Sequence, residues 1–197
     1  MNRLTLTEAL KASTAAAPPV HWDFETRSRL PLNKAGPWKY AADPTTEVLA
    51  LGFAVGDGPV QVWRPGDPIP PEFIEAANNP DVLVCAHNAA FEIAIERLIL
   101  EPRFGWPHIP LRQHRCTMAM ALALALPARL ETLAEALELI HQKDRAGHRL
   151  MLMMSKPRRP HKDEDPNGGP YWFDDPARMQ RLISYMIGDV ESEPRSL

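Results

Sequence analysis

Asp23 and Glu25 lie two residues apart in the stretch His21-Trp22-Asp23-Phe24-Glu25-Thr26-Arg27-Ser28, which follows a Pro-Pro-Val entry and reads as a buried strand. Residues i and i+2 of a strand point to the same face, so the two acids stand side by side while Trp22 and Phe24 pack the other. Adjacent carboxylates in an apolar strand repel one another and lose hydration, and a bound cation offsets both penalties. An exposed edge strand with its acids in water would carry the same pattern, so the choice falls to the rest of the chain. Asn88 and Glu92 are four apart at a helix start, and Tyr185 and Asp189 are four apart in the last helix; each pair shares a helix face. Together these blocks supply four acids and a tyrosine. Oxygen-only ligands of this kind select hard cations such as Mg²⁺ or Mn²⁺.

The elements that must position these groups follow from periodicity. After the opening strand, residues 27–45 are polar and punctuated by proline, with local positive charge from Arg27, Arg29, Lys34 and Lys39. Val48 to Val55 reads as a central strand, Gly56-Asp57-Gly58-Pro59 as a turn, and Val60 to Trp63 as the returning arm of a hairpin. Pro70 to Ala77 predicts a short helix with proline in its first turn. Asp81 to Ala86 predicts a strand leading into a helix from Asn88 to Ile99, and a brief strand is expected around Ile109. Cys116 to Leu126 favours a buried helix by its Ala, Leu and Met content, with Pro127 stopping it. Leu130 to Ile140 and Ala146 to Met154 predict two more helices, and Lys156 to Pro170 a mobile loop. Asp175-Pro176 opens a final helix with an acidic cap and proline at its first position, running to about Glu191. Three antiparallel strands first, then strand–helix alternation, indicate an α/β domain with a mixed sheet.

The chain has 197 residues, enough for one domain with a full core and too few for two ordinary ones. Its 45% apolar and 24% charged residues are those of a soluble globular protein. A net charge of −3 argues against a strongly basic nucleic-acid binder, though a basic groove beside an acidic metal site cancels in such a sum. Cys85 and Cys116 are too few for a disulfide framework and have no metal-ligand spacing. With no secretory signal and no apolar run long enough to span a bilayer, a reduced cytoplasmic setting is expected. Residues 1–17 read as an N-terminal extension, with Thr5-x-x-Glu8 a possible capping box, and 18–197 as the domain proper.

In this order, the three acidic blocks resemble those of the DnaQ-like DEDD family of 3′–5′ exonucleases, in its tyrosine-bearing branch. The phrases Asp23-Phe24-Glu25-Thr26-Arg27-Ser28, Ala86-His87-Asn88-Ala89-Ala90-Phe91-Glu92 and Tyr185-Met186-Ile187-Gly188-Asp189-Val190-Glu191 are most similar to the proofreading domain of phage-type family A DNA polymerases. The likeness extends to Ala146-Gly147-His148-Arg149-Leu150-Met151 and Ser155-Lys156-Pro157-Arg158, and so covers roughly residues 19–193. In one respect the chain departs from the pattern: the second block ends in Glu92 where the family has aspartate. The histidine branch is disfavoured by Ser184, which stands where it would place histidine. The resemblance implies a ribonuclease-H-like fold, with a five-stranded mixed sheet flanked by helices, and two divalent cations, Mg²⁺ or Mn²⁺. It implies metal-dependent hydrolysis of DNA from single-stranded or frayed 3′ ends to nucleoside monophosphates. Asp23 would bridge both ions, Glu25 and Asp189 would complete the nucleophile-side metal, Glu92 would hold the other, and Tyr185 would orient the attacking water. Thr26, Asn88 and Arg158 are the substrate-binding candidates.

The expected partners are a DNA 3′ end and a polymerase domain or replication protein. The chain itself has no stretch left for a polymerase palm or fingers, so it reads as a free-standing nuclease or an excised domain. An RNA exonuclease of the same superfamily, or a non-catalytic 3′-end-binding domain, are the rival readings. Other conspicuous residues have plainer uses. His87 reads as a hydrogen-bonded structural histidine, Asn88 fits a helix cap as well as a substrate contact, and Glu191 and Glu193 read as exposed residues at a fraying terminus. Met151, Met153 and Met154 suit packing, as do most of Trp38, Trp63, Trp106 and Trp172. Lys156, Arg158, Arg159, His161 and Lys162 form a basic cluster, read as a solvated loop or a track for phosphates.

Overall fold

The computed structural model describes residues 17–138 and 144–193. The proposed extension therefore lies, except for Ala17, outside the described residues, as do the last two residues of the helix expected to reach Ile140. Strands β1 (Val20–Arg27), β2 (Glu47–Val55), β3 (Gln61–Trp63), β4 (Val84–Ala86) and β5 (His114–Cys116) form one mixed sheet in the order β3-β2-β1-β4-β5. β3, β2 and β1 are antiparallel neighbours, and β1, β4 and β5 run parallel. The strand that carries Asp23 and Glu25 is thus central.

Alternation along β1 decides the layering. Trp22 and Phe24 enter an aromatic core with Phe53 and Phe73, with ring centroids 5.2 Å apart for Trp22–Phe24, Trp22–Phe73 and Phe53–Phe73. Trp63 and Trp106 extend that core. Burying each such ring contributes about 2 kcal/mol, and the aggregate holds the helices of that side on the sheet. These helices are α1 (Leu32–Ala35), α2 (Pro37–Ala42), α3 (Pro71–Asn78), α4 (Ala90–Ile95) and α5 (Glu101–Phe104), with a π-helical turn over Glu96–Leu100 between the last two. Gln113 ties α3 to the sheet, its amide nitrogen donating to the carbonyls of Ala76, Asn79 and Val82.

The opposite face of the sheet takes α9 (Pro176–Ser192), which packs on β1 and β2. Its start is set as the sequence predicts, by proline at the first position and by Asp175, whose carboxylate accepts from Arg178 N–H at 2.9 Å. Against it lies α8 (Arg145–Met154), capped by Asp144, which accepts from Gly147 N–H at 2.8 Å. Between β5 and α8 run α6 (Thr117–Ala123) and α7 (Leu130–Ala136). No helix of the described residues is long and apolar enough to cross a membrane.

Two expectations are corrected. The last strand forms at His114–Cys116, not around Ile109. Ile109 is buried, but Pro107 and Pro110 flank it and cannot donate to a sheet ladder. The helix after Cys116 is not buried: Leu122 and Leu124 are 54% and 62% exposed, and only Thr117 and Ala121 are covered. It follows the edge strand, where the sheet can cover one helix face only. The loop over 156–170 contains no helix or strand element, yet an isolated bridge between Arg158 and Tyr171 closes it.

Candidate active site

Asp23 and Glu25 project from β1 toward α9. What lets the helix come close is Gly52 on β2, the register partner of Asp23. A Cβ at Gly52 would stand 3.2 Å from Met186 Cγ and 3.2 Å from Val190 Cγ2, so the absent side chain is the space α9 occupies. Met186 and Val190 face the sheet, and Tyr185 and Asp189 flank them one helical step away. Between Glu25 and Thr26 the β1–β2 register shifts by a bulge, a device that re-aims side chains beside a site.

The third contribution comes from the β4–α4 corner. Asn88 adopts φ +70, and its carbonyl accepts from Phe91 N–H at 3.0 Å. The turn delivers Glu92 into the first turn of α4, where it is only 2% exposed. Asn88 itself is exposed and is not the helix cap, which is Ala89 with no side-chain capping bond. Helix-face sharing between Asn88 and Glu92 therefore does not hold, because Asn88 lies outside the helix.

The acids feel one another. Burial pushes the Asp23 carboxyl well above its usual range, and the charges of Asp189 and Glu193 add to the effect. Glu25 is raised by burial and then by Asp23 and Asp189, and Glu92 by burial and then by Asp23. Burial lifts Asp189 to about 6, against a hydrogen bond from Tyr185 that favours its charged form. The Tyr185 phenol is pushed far up by burial and by Asp189, so it stays a proton donor across the neutral range.

Gly147 sets the position of Tyr185. A Cβ on Gly147 would stand 2.5 Å from Tyr185 Cδ2 and would also collide with Asp144 Oδ2. Gly147→Ala is expected to destabilise the domain by about 1–3 kcal/mol, the usual cost of overpacking, and to displace the phenol. Urea unfolding measures the first effect and turnover the second; an unchanged midpoint would contradict the contact.

Glu193 is a correction. It was expected at an exposed, fraying end, but it is 4% exposed and ends α9 with its carboxylate turned inward. One oxygen accepts from His87 N–H at 2.6 Å and the other lies 2.9 Å from His21 Nδ1. It thereby fastens α9 to β1 and to the β4–α4 corner, and it lines a cavity of about 140 Å³ with Asp23, His87, Leu130 and Asp189. Its four-residue spacing from Asp189 was the available signal. Glu191, by contrast, is exposed as expected. His87 has both ring nitrogens engaged, with Thr117 Oγ1 at 3.1 Å and the Ala128 carbonyl at 2.8 Å, which is the structural use read from the sequence.

Two substrate-binding candidates have internal partners. Thr26 is buried with its hydroxyl 2.9 Å from the Tyr40 hydroxyl. Arg158 makes a two-pronged bond to Glu164, both contacts at 2.6 Å, and donates to the Trp172 and Arg159 carbonyls. Its guanidinium is spent on closing the loop rather than offered to a phosphate.

Among the described residues no three His, Cys, Asp or Glu side chains stand close enough to hold a metal ion as they are set. The donors nonetheless fit hard cations. Asp23, Glu25, Glu92 and Asp189 are all oxygen ligands, all are raised by burial, and Glu92 Oε2 is buried with no hydrogen-bond partner.

No protein-family model matches the chain. The chain is 35% identical over 173 residues to a DNA polymerase of Bacillus phage SP02, an alignment covering 87% of this chain and 26% of the polymerase. It thus spans about a quarter of the length of that relative. Similar solved structures include a family B DNA polymerase from Pyrobaculum calidifontis, at 15% identity and a TM-score of 0.47 over 91% of this chain and 24% of that one. Another is Brucella melitensis NrnC bound to pGG, at 14% identity and a TM-score of 0.45 over 87% of this chain and 67% of that one. Sequence kinship to part of a phage DNA polymerase accords with the resemblance of the acidic blocks to the DnaQ-like exonucleases, and the five-stranded mixed sheet with flanking helices is the ribonuclease-H-like arrangement which that resemblance implies.

Proposed function

We propose that the chain is a metal-dependent 3′–5′ exonuclease of the tyrosine-bearing DEDD branch, acting on single-stranded or frayed DNA ends in a proofreading or repair role. The observation that carries this reading is the convergence of mutually repelling, buried carboxylates with a partnerless Glu92 oxygen. A fold tolerates such a cluster when cations neutralise it. Kinship to a DNA polymerase supports DNA over RNA, and a polymerase domain or replication protein as partner.

In this reading Asp23, Glu25, Glu92 and Asp189 hold two divalent ions, Mg²⁺ or Mn²⁺. When bound, such a pair supplies an activated water and offsets charge on the leaving 3′ oxygen. Asp23, whose charge acts on Glu25 and Glu92 and is acted on by Asp189, would serve both ions. Glu92 carries one methylene more than aspartate, which extends its carboxylate by about 1 Å toward the same centre. Tyr185 keeps its proton and orients the attacking water by hydrogen bond instead of acting as base. Asn88, exposed at the corner beside Glu92, and the backbone at Thr26 hold the terminal nucleotide. Fraying costs least at a mismatch, which is how such a site selects errors.

The test is a 5′-labelled, 3′-recessed duplex with a terminal mismatch, incubated in Mn²⁺ with and without EDTA, beside an RNA strand of matched sequence. Stepwise shortening of the DNA that EDTA stops is expected. Preferential shortening of the RNA would support the RNA-exonuclease reading, and retained end-binding without product the binding-domain reading. Tyr185→Phe is expected to slow turnover by about 10²-fold while leaving metal affinity intact. Calorimetry showing lost Mn²⁺ binding in that variant would contradict the role.

A further inference from the structure

The converging acids ride on three separate elements: Asp23 and Glu25 on β1, Glu92 at the start of α4, and Asp189 on α9. One carboxylate that is not among them joins all three. Glu193 stands four residues after Asp189, where α9 stops and the backbone turns extended. One of its oxygens accepts from the His87 N–H at 2.6 Å, five residues before Glu92. The other lies 2.9 Å from Nδ1 of His21, two residues before Asp23 and on the same strand face. Both anchors are fixed in turn: the His87 ring is held by Thr117 and the Ala128 carbonyl, and His21 is buried within the central strand. Glu193 lines the small cavity beside Asp23 and Asp189, but both its oxygens are turned to protein donors. Burial is the main lift on Asp23, Glu92 and Asp189, and the charge of Glu193 adds to it in all three, so this carboxylate is felt by every element of the site. His21 Nε2 is buried with no hydrogen-bond partner, an unmade bond that an apolar residue at position 21 would not leave. A buried carboxylate–imidazole pair adds little net stability over apolar packing, so this one is better explained by the alignment it fixes.

We propose that Glu193 is a positioning residue for the reaction: by tying the end of α9 to β1 and to the β4–α4 corner at once, it sets the separation of Asp189 and Glu92 about Asp23, and with it the spacing of the two ions, while binding neither. The inference rests on the two-ion exonuclease reading. Gly52 lets α9 approach the sheet, and Glu193 fixes where along β1 its last turn comes to rest. The reach of the side chain, not its charge, is then what matters. Aspartate keeps the charge but is shorter by one methylene, about 1 Å, and fails to span from the end of α9 to both His21 and His87. Glutamine keeps the reach. Its carbonyl oxygen accepts from the His87 N–H, and its amide donates to His21 Nδ1 once the imidazole carries its proton on Nε2.

Calorimetric titration with Mn²⁺ of the wild type, Glu193→Gln and Glu193→Asp tests the assignment, with urea unfolding in EDTA and turnover of a labelled mismatched end on the same preparations. The wild type is expected to take up two ions. Glu193→Gln is expected to take up both with the wild-type ratio of affinities, since a charge lost outside the ligand set acts on both ions. Glu193→Asp is expected to hold its second ion about tenfold or more weakly relative to the first. It should also lose about 10²-fold in kcat at saturating Mn²⁺, the effect of a 1 Å misplacement, with KM for the DNA end unchanged. Loss of one ion in Glu193→Gln would make Glu193 a ligand and overturn the assignment. A wild-type ratio and kcat in Glu193→Asp, with only the urea midpoint lowered, would overturn it too, as the mark of a merely structural tie. A wild type that takes up two ions yet releases no nucleotide would sink the exonuclease reading, while the affinity ratios of the two variants still decide the role of Glu193. Nucleotide release by a wild type holding a single ion would spare the exonuclease and sink the positioning role, and a wild type that takes up no ion would overturn both.

Discussion

Asp23→Asn is expected to abolish Mn²⁺-dependent release of nucleotides while leaving the domain folded. The substitution keeps the shape of the side chain on β1 and its alternation, so Trp22 and Phe24 remain in the core. It removes a charge felt across the cluster, since Asp23 raises both Glu25 and Glu92 and is itself raised by Asp189. Losing a single oriented charge-stabilising group costs about 10²–10³ in rate, and loss of a ligand shared by two ions, the role proposed for Asp23, should cost more than about 10³. The measurement is single-turnover cleavage of a labelled mismatched end, with circular dichroism on the same preparation. Activity within tenfold of wild type would mean that other acids do the work.

Asp189→Asn is expected to raise the stability of the domain when metal is withheld. Burial raises Asp189 from its ordinary 3.8 to about 6, so the folded state holds its proton more tightly than the unfolded chain does. Its contribution is therefore fully present below about pH 4 and is lost as pH rises through about 6. Asp23, Glu25 and Glu92 are shifted the same way and extend the loss further upward. Asparagine has no charge to bury and can still accept from the Tyr185 hydroxyl. In EDTA at pH 7.5 the variant is expected to be more stable by on the order of 2 kcal/mol, with the difference vanishing near pH 4. Urea titrations at the two pH values measure this, and wild-type stability should recover on adding Mn²⁺. Equal stabilities in EDTA at pH 7.5 would show that the acids are not strained together. The two substitutions separate what the site does from what it costs, the pattern expected where activity opposes stability.

Much of the site was legible because strand and helix periodicities carry side-chain direction with them. The i, i+2 acids of β1 and the i, i+4 pair of α9 needed no tertiary knowledge to be placed on common faces. The antiparallel first three strands and the mixed character of the sheet followed from the hairpin and the strand–helix alternation, whereas the order that sets β1 between β2 and β4 came only from the structure. Glu193 was legible only as a residue spaced four from Asp189; its inward turn depends on the chain leaving helical geometry at that residue and reaching His21 and His87. Asn88 misled for a similar reason: its positive φ puts it outside the helix whose face it was assigned to. Arg158 looked like a free cation because its partner, Glu164, is six residues away across a loop with no periodicity to read.

The missing side chain at Gly52 has a mechanical consequence. Half of the carboxylates ride on the sheet and Asp189 rides on the helix above it, so their mutual reach is fixed by the thickness of the gap between the two layers. A residue that touches no ion and no nucleotide therefore works as the spacer of the machine, and a single methyl group slipped in as a shim would draw the jaws apart with every reactive part still in place.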